Sequence, residues 1–456
     1  MAHDAGDSRR LAQPIPSPIS LAGRPTHPAL AIQPLEFVSV VLDLHSRLGA
    51  TMDDLKKLAD CPFFDAFSDA DFWQDPYPAF AEAQQSRSPL YRSAFGAIAL
   101  CFDFTTEIAK DARFGVPSSQ EALAGFAQPL IDAFEYSLLH INPPEHTERR
   151  NIVARRFGAA PVRELQPLVE KTVDRLLDEL IERREADSLT TTAGPLTTRT
   201  FCSLLDVPLA DEPLIERWAR EMTGGLKVEP DAEALRKAGV ASQNVLDYLG
   251  RLASERLLKG GNDALSIILE GFCDAGYEEP ARVGAATFAQ VMMDGIDSVK
   301  NAIANGLHAL LRHPEAFETL EKDPSLVPAA TEEMLRWDGP TLLTGRRALQ
   351  DLEFHGMSIP AGTPVSLVWL AANRDAKRFV HANAFEIRRK NNRHVAFGGG
   401  IHTCAGANLA RIQLRVFFEA LTRRISRVEL TEPEAKWLPF SIARGFERLP
   451  IRVEPR

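Results

Sequence analysis

The chain has 456 residues, 45% of them apolar and 25% charged, an ordinary globular balance with ample material for a core. A net charge of −10 at pH 7 argues against a non-specific nucleic-acid binder, which would be basic. Five scattered cysteines (Cys61, Cys101, Cys202, Cys273, Cys404) give no disulfide framework and fit a reducing compartment, the cytoplasm, and no uncharged apolar run reaches the roughly 18 residues of a membrane span.

Residues 1 to about 30, rich in Pro, Ser, Ala and Gly, are expected to be disordered, and Pro14, Pro16 and Pro18 break any signal-peptide pattern. Leu35–Leu48 has near-helical apolar spacing and predicts a short amphipathic helix. This divides the chain into an N-terminal extension, 1–60, and a body, 61–456. Helices are then predicted at Ala79–Ser86, Thr105–Lys110, Glu145–Arg156, Pro161–Arg184, Pro213–Gly225, Ala232–Lys259, Glu279–Leu311, Pro314–Asp323, Leu326–Asp338 and Cys404–Ile425. Short apolar runs at Ala97–Cys101, Leu352–Phe354 and Thr363–Trp369 predict strands. The mix is mainly α with small β-sheets.

Three stretches carry chemistry. Within Glu279–Leu311, Asp294, Asp297 and Ser298 sit among Phe288, Val291, Met292, Met293, Ile296, Val299 and Ile303. A helix apolar on most sides is buried, and buried acids are rare without a task. Asp294 and Ser298, four apart, share a face. Glu333 and Arg336 form an i, i+3 pair on the Leu326–Asp338 helix, by itself a common surface feature. Last, Phe397-Gly398-Gly399-Gly400-Ile401-His402-Thr403-Cys404-Ala405-Gly406 leads a glycine-rich loop into a strong helix. Unpaired amides and the helix dipole at such a start lower a thiol's pKa, and a thiolate so held suits a soft metal centre such as haem iron. A zinc site lacks its other ligands, and a Rossmann fingerprint lacks its spacing. A merely buried cysteine leaves the three glycines and the histidine unexplained.

Phe-x-x-Gly-x-His-x-Cys-x-Gly, from Phe397 to Gly406, resembles the haem-binding loop of the cytochrome P450 family at every fixed position. Asp294-Gly295-Ile296-Asp297-Ser298 resembles the family's oxygen-activation segment, and Glu333-x-x-Arg336 its structural helix pair. The resemblance implies a cytochrome P450 fold with haem b between the oxygen-activation helix and the cysteine-loop helix. It makes Cys404 the axial thiolate in a loop fixed by Phe397, Gly398 and Gly406. Gly295 leaves room for O2, and Asp297 with Ser298 relays protons toward the reacting oxygen. His146, Arg150, Arg346 and His402 hold the propionates, with Arg347 the alternative to Arg346. Arg388 or Arg389 completes the Glu333–Arg336 network, in a meander weakened by Ala376 and Ala382 where prolines are usual.

The chain departs from the pattern at Ser298, usually threonine, and at Asp294, usually Ala or Gly. Asp294 either orients a substrate amine, hydroxyl or indole N–H, or partners an arginine or waters. The pocket would draw on 115–139, 202–234, 291–295, 340–344 and 440–442, with Phe126, Leu130, Phe134, Leu342, Leu343 and Phe440 making it mostly apolar. The implied protein is a soluble bacterial monooxygenase, a monomer, hydroxylating a small terpenoid or aromatic natural product. Electrons come from a ferredoxin and its NAD(P)H reductase, docking near Arg393, Arg411 and Arg415. A peroxide-driven enzyme, a coupling or rearrangement catalyst, and a non-catalytic haem sensor are the alternatives.

Overall fold

The computed structural model describes residues 61–456 apart from 94–95, 227–229 and 439–442. The Leu35–Leu48 helix and the extension 1–60 lie outside the described residues, as does Phe440 of the expected pocket.

The fold is built on one helix, Pro280–Arg312, of 33 residues and ~50 Å. Proline suits its first turn. Buried residues run along it from Val283 to Leu310, on most of its sides. Such a helix needs neighbours all round. It has them in Gln128–Phe134, Gly194–Leu204, Glu212–Gly225, Ala232–Lys259, Ala264–Asp274, Val327–Trp337 and Ala407–Arg424. The cysteine helix, Ala407–Arg424, meets this central helix at Gly306. A Cβ there would fall 2.8 Å from the Phe418 ring and 2.9 Å from the Met334 sulfur.

A five-stranded sheet flanks the helices in the order Tyr91–Ser93, Gly96–Ala99, Pro364–Val368, Leu343–Ala348, Phe114–Gly115. Gly96–Ala99 pairs in parallel with Pro364–Val368, and the other pairs are antiparallel. The architecture is thus mainly α with small sheets, as the sequence predicts. Among the described residues no helix is long and apolar enough to cross a membrane.

Several bounds differ from expectation. Pro161–Arg184 is two helices, Ala159–Arg163 and Gln166–Arg183, parted at Glu164-Leu165. The helix expected from Cys404 starts at Ala407, so the cysteine stays in the loop. Gln128–Phe134, Gly194–Leu204 and Ala264–Asp274 have no counterpart in the sequence reading. Gly194-Pro195 looks like a breaker but lies where a π-helical turn, Leu189–Ala193, passes directly into Gly194–Leu204. Ala264–Asp274 is apolar round most of its girth, which hides the period.

Candidate active site

The cysteine loop is held from three sides. The Val395 amide donates to Asn373 Oδ1 at 2.8 Å, and the Gly398 amide to the Val395 carbonyl at 3.0 Å. Gly398 and Gly400 have φ of 73° and 68°. At Gly400 a Cβ would lie 1.9 Å from the Ala109 carbonyl oxygen, so only glycine lets the loop rest on the helix Phe102–Lys110. The Cys404 amide then closes the turn on the Phe397 carbonyl at 2.9 Å.

Cys404 is open to space, yet burial is the largest influence on its thiol and pushes the pKa up. Both facts hold for a side chain facing an internal cleft away from bulk water. The Gly406 amide, Arg150 and Arg411 pull the other way. The expected lowering by loop and helix is therefore outweighed. The helix begins three residues after the sulfur, and desolvation penalises the thiolate.

Across the cleft lies the central helix. Gly295 is exposed to it, and a Cβ there would meet nothing within 4 Å. Asp294 Oδ2 accepts from Gln290 Nε2 at 2.5 Å. Burial pushes its pKa up to about 6, and its charge is felt at Cys404, so the two lie within electrostatic reach of each other. No arginine pairs with Asp294 among the described residues. Ser298 Oγ donates to the Asp294 carbonyl at 2.5 Å. The half-buried Asp297 carboxylate receives the Lys300 ammonium, one turn along the same helix.

The rim is basic. The His146 and His402 rings stand 4.4 Å apart. His146 is 1% exposed and neither ring nitrogen has a partner. Burial, then Arg150 and Arg346, lower its pKa. His402 Nδ1 donates to the Leu138 carbonyl, 3.0 Å away. Burial, then Arg346 and His146, push it down to about 3. Arg346 is buried, and its one hydrogen bond among the described residues is to its neighbour Gly345. Burial alone brings it down to about 10. Arg347, the alternative, points elsewhere and pairs with Glu121. Buried cations and imidazoles without an anion are unfavourable unless one arrives. Two carboxylates on a flat ligand would satisfy all four groups, and that is what haem b brings.

Behind the loop, Glu333 and Arg336 are fully buried and bidentate at 2.8 Å. Arg389 Nε reaches both Glu333 oxygens at 3.1 and 3.0 Å, and Asn392 and the Glu386 amide join it. Arg388 is instead exposed near Asp323. The Ala382 carbonyl accepts from Arg336 at 2.8 Å. Of the three arginines expected to form an open docking patch, Arg411 is committed to Glu332 at 2.7 and 2.9 Å and stacks over Phe397. It is tied to Glu332 and remains half-exposed, like Arg415, while Arg393 is exposed. Gln290 and Lys300 were missed in the sequence, although each stands one helical turn from an acid that was singled out.

A lone cysteine opposite a helix glycine, within a rim of basic groups that meet no carboxylate among the described residues, defines a haem-binding class of protein. The family model Cytochrome P450 matches residues 282–441. Cytochrome P450 monooxygenase PikC of Streptomyces venezuelae is 32% identical, over 84% of this chain and 92% of its own length. The methyl-branched lipid omega-hydroxylase of Mycobacterium bovis is 33% identical over 71% and 76%. The crystal structure of P450BioI in complex with hexadec-9Z-enoic acid ligated acyl carrier protein superposes with a TM-score of 0.79 at 28% identity, covering 84% of this chain and 100% of that one. The chain belongs to the cytochrome P450 family and is a haem b monooxygenase.

Proposed function

We propose that the chain hydroxylates a small, mostly apolar natural product, with Cys404 as the axial thiolate. Bound there, haem b supplies the reductive activation of dioxygen and the transfer of one oxygen atom. The observation that carries this reading is the shared cleft of Cys404, Asp294 and open Gly295, rimmed by His146, Arg150, Arg346 and His402. Those four basic groups would anchor the propionates, and Phe397, Gly398 and Gly406 would shape the loop around the sulfur. Gly295 leaves space for O2. Ser298, with a hydroxyl on the pocket side of the helix, and Asp297 would move protons inward.

Electrons would come from an external ferredoxin and its NAD(P)H reductase, to a cytoplasmic monomer. Terpenoids and aromatic or indole compounds suit the apolar lining. The name of one relative adds methyl-branched lipids, and Asp294 would orient whichever hydrogen-bond donor the substrate carries. The test is the carbon monoxide difference spectrum of the reduced protein, followed by a spin-shift screen across terpenoid, indole and fatty-acid libraries. A red-shifted Soret band that disappears in Cys404→Ser is expected. Haem binding without that band would overturn the thiolate assignment and favour a sensor.

A further inference from the structure

Between Val283 and Leu307 the central helix is buried at all but six positions, Val291, Asp294, Gly295, Asp297, Ser298 and Lys300. Asp297 and Lys300 pair with each other. At 3.6 residues per turn the other four fall within about 100° of the circumference. They form a single open stripe on an otherwise closed helix, and Gly295 is its most exposed member.

This wall has few polar atoms to offer. The Ser298 hydroxyl is spent on the Asp294 carbonyl. A carboxylate has about four acceptor sites. Among the described residues, Gln290 Nε2 on Oδ2 is the one group that bonds to the Asp294 side chain. Oδ1 keeps its capacity.

The charge of Asp294 is equally unanswered. The nearest basic groups are those of the rim, and two propionates would neutralise Arg150 and Arg346. Burial and these arginines hold His146 and His402 neutral. The single positive charge of a ferric haem core is cancelled by a Cys404 thiolate. Lys300 is held by Asp297, and Arg411 by Glu332. With haem in place, the Asp294 carboxylate is thus the one charge of the cleft left without its opposite among the described residues. Such a group is costly to bury. An amide of the same shape would fill the space without that cost, so the acid points to a ligand.

We propose that Asp294 anchors a protonated amine, and that the substrate is an apolar body carrying one basic nitrogen. The inference rests on the reading of Cys404 and Gly295 as two walls of a haem pocket. Gln290 holds Oδ2, and the ammonium N–H donates to Oδ1, a charge-assisted bond in a place shielded from water. Val291 and Gly295 flank it with apolar surface. A nitrogen fixed there also sets which carbons of the body lie near the site of oxygen transfer.

The test uses haem-loaded protein at pH 7.5 and matched probes on terpene-sized, indole and linear bodies. Each body is offered as the N,N-dimethylamine, its isopropyl isostere and the primary alcohol. Equilibrium dialysis gives Kd, and the Soret position separates a nitrogen bound to iron from one held elsewhere. On at least one body the amine should bind about tenfold or more tighter than both neutral partners, with no nitrogen on the iron. Asp294→Asn should bring the three to within about twofold by weakening the amine alone. A library in which no amine surpasses its neutral partners overturns the proposal. So does a preference that survives Asp294→Asn, or an alcohol that gains as much as the amine, which would mean a neutral donor is recognised. The carbon monoxide band monitors the haem site throughout, and its absence from the wild type is the separate failure of the parent reading. If Asp294→Asn alone loses the band, Asp294→Ala takes its place, with the same outcomes required.

Discussion

Asp294 combines a buried carboxyl, one hydrogen bond from Gln290 and no cation among the described residues. Its pKa of about 6 against an ordinary 3.8 means that the folded chain holds this proton where the unfolded chain has released it. Stability therefore falls as pH rises from about 4 to 6, and the deficit is complete above that window. Asp294→Asn removes it, and should stabilise the protein by ~3 kcal/mol at pH 7.5 and by well under ~1 kcal/mol at pH 4. Melting temperatures at the two pH values check this; an equal change at both would remove the titration from the account. At the rim, Arg346→Ala should weaken haem retention by tenfold or more, measured by transfer to apomyoglobin. Arg347→Ala, which loses the ion pair to Glu121, should retain haem like the wild type. Ser298→Ala should raise peroxide release at the expense of product, and unchanged coupling would take Ser298 out of proton delivery.

At the scale of elements, the helix Val327–Trp337 is joined to the meander by one carboxylate. Glu333 receives Arg336, Arg389, Asn392 and the Glu386 amide in a site from which water is excluded. Glu333→Gln leaves two buried guanidiniums short of their counter-charge and should cost about 3–5 kcal/mol. Urea midpoints would show it, whereas Arg388→Ala should stay within ~0.5 kcal/mol. The Glu-x-x-Arg spacing was readable in the sequence, but the choice between Arg388 and Arg389 was not. Adjacent residues in a meander point different ways, and no period fixes which one turns inward. Amphipathic helices such as Ala232–Lys259 were legible because one face is wet. Ala264–Asp274 was not, although Asp263, accepting from the Leu265 and Ser266 amides, is a cap that could have flagged it. The cysteine loop was the most legible part of the site, because glycines, histidine and cysteine lie together in ten residues. The Asp294–Gln290 and Asp297–Lys300 contacts needed a helical face drawn out around each acid.

At the scale of the whole molecule, distant parts of the chain are clasped by a buried polar cluster. Tyr77 donates to Asp338 at 2.6 Å. Arg444 reaches Asp338 at 3.2 Å and the Trp73 carbonyl at 2.7 Å. The Arg374 guanidinium lies between the Tyr77 and Trp337 rings. Burial and the Asp338 charge hold the Tyr77 hydroxyl protonated far above its ordinary range, so it remains a donor at any working pH. Asp338→Asn should lower the thermal midpoint by several degrees, with haem content following stability rather than preceding it. On the surface, the −10 net charge repels an acidic redox partner everywhere except at local basic patches. Arg393→Glu should slow reduction by an acidic ferredoxin, an effect that fades as salt rises. Two glycines, finally, answer to different kinds of selection. Gly400 is wedged on the Ala109 carbonyl, so a saturation scan sorted on soluble expression should already purge every other residue there. Gly295 borders open space and should tolerate alanine in that sort. Only a sort on turnover should restore glycine at 295, separating what the polypeptide requires from what its reaction requires.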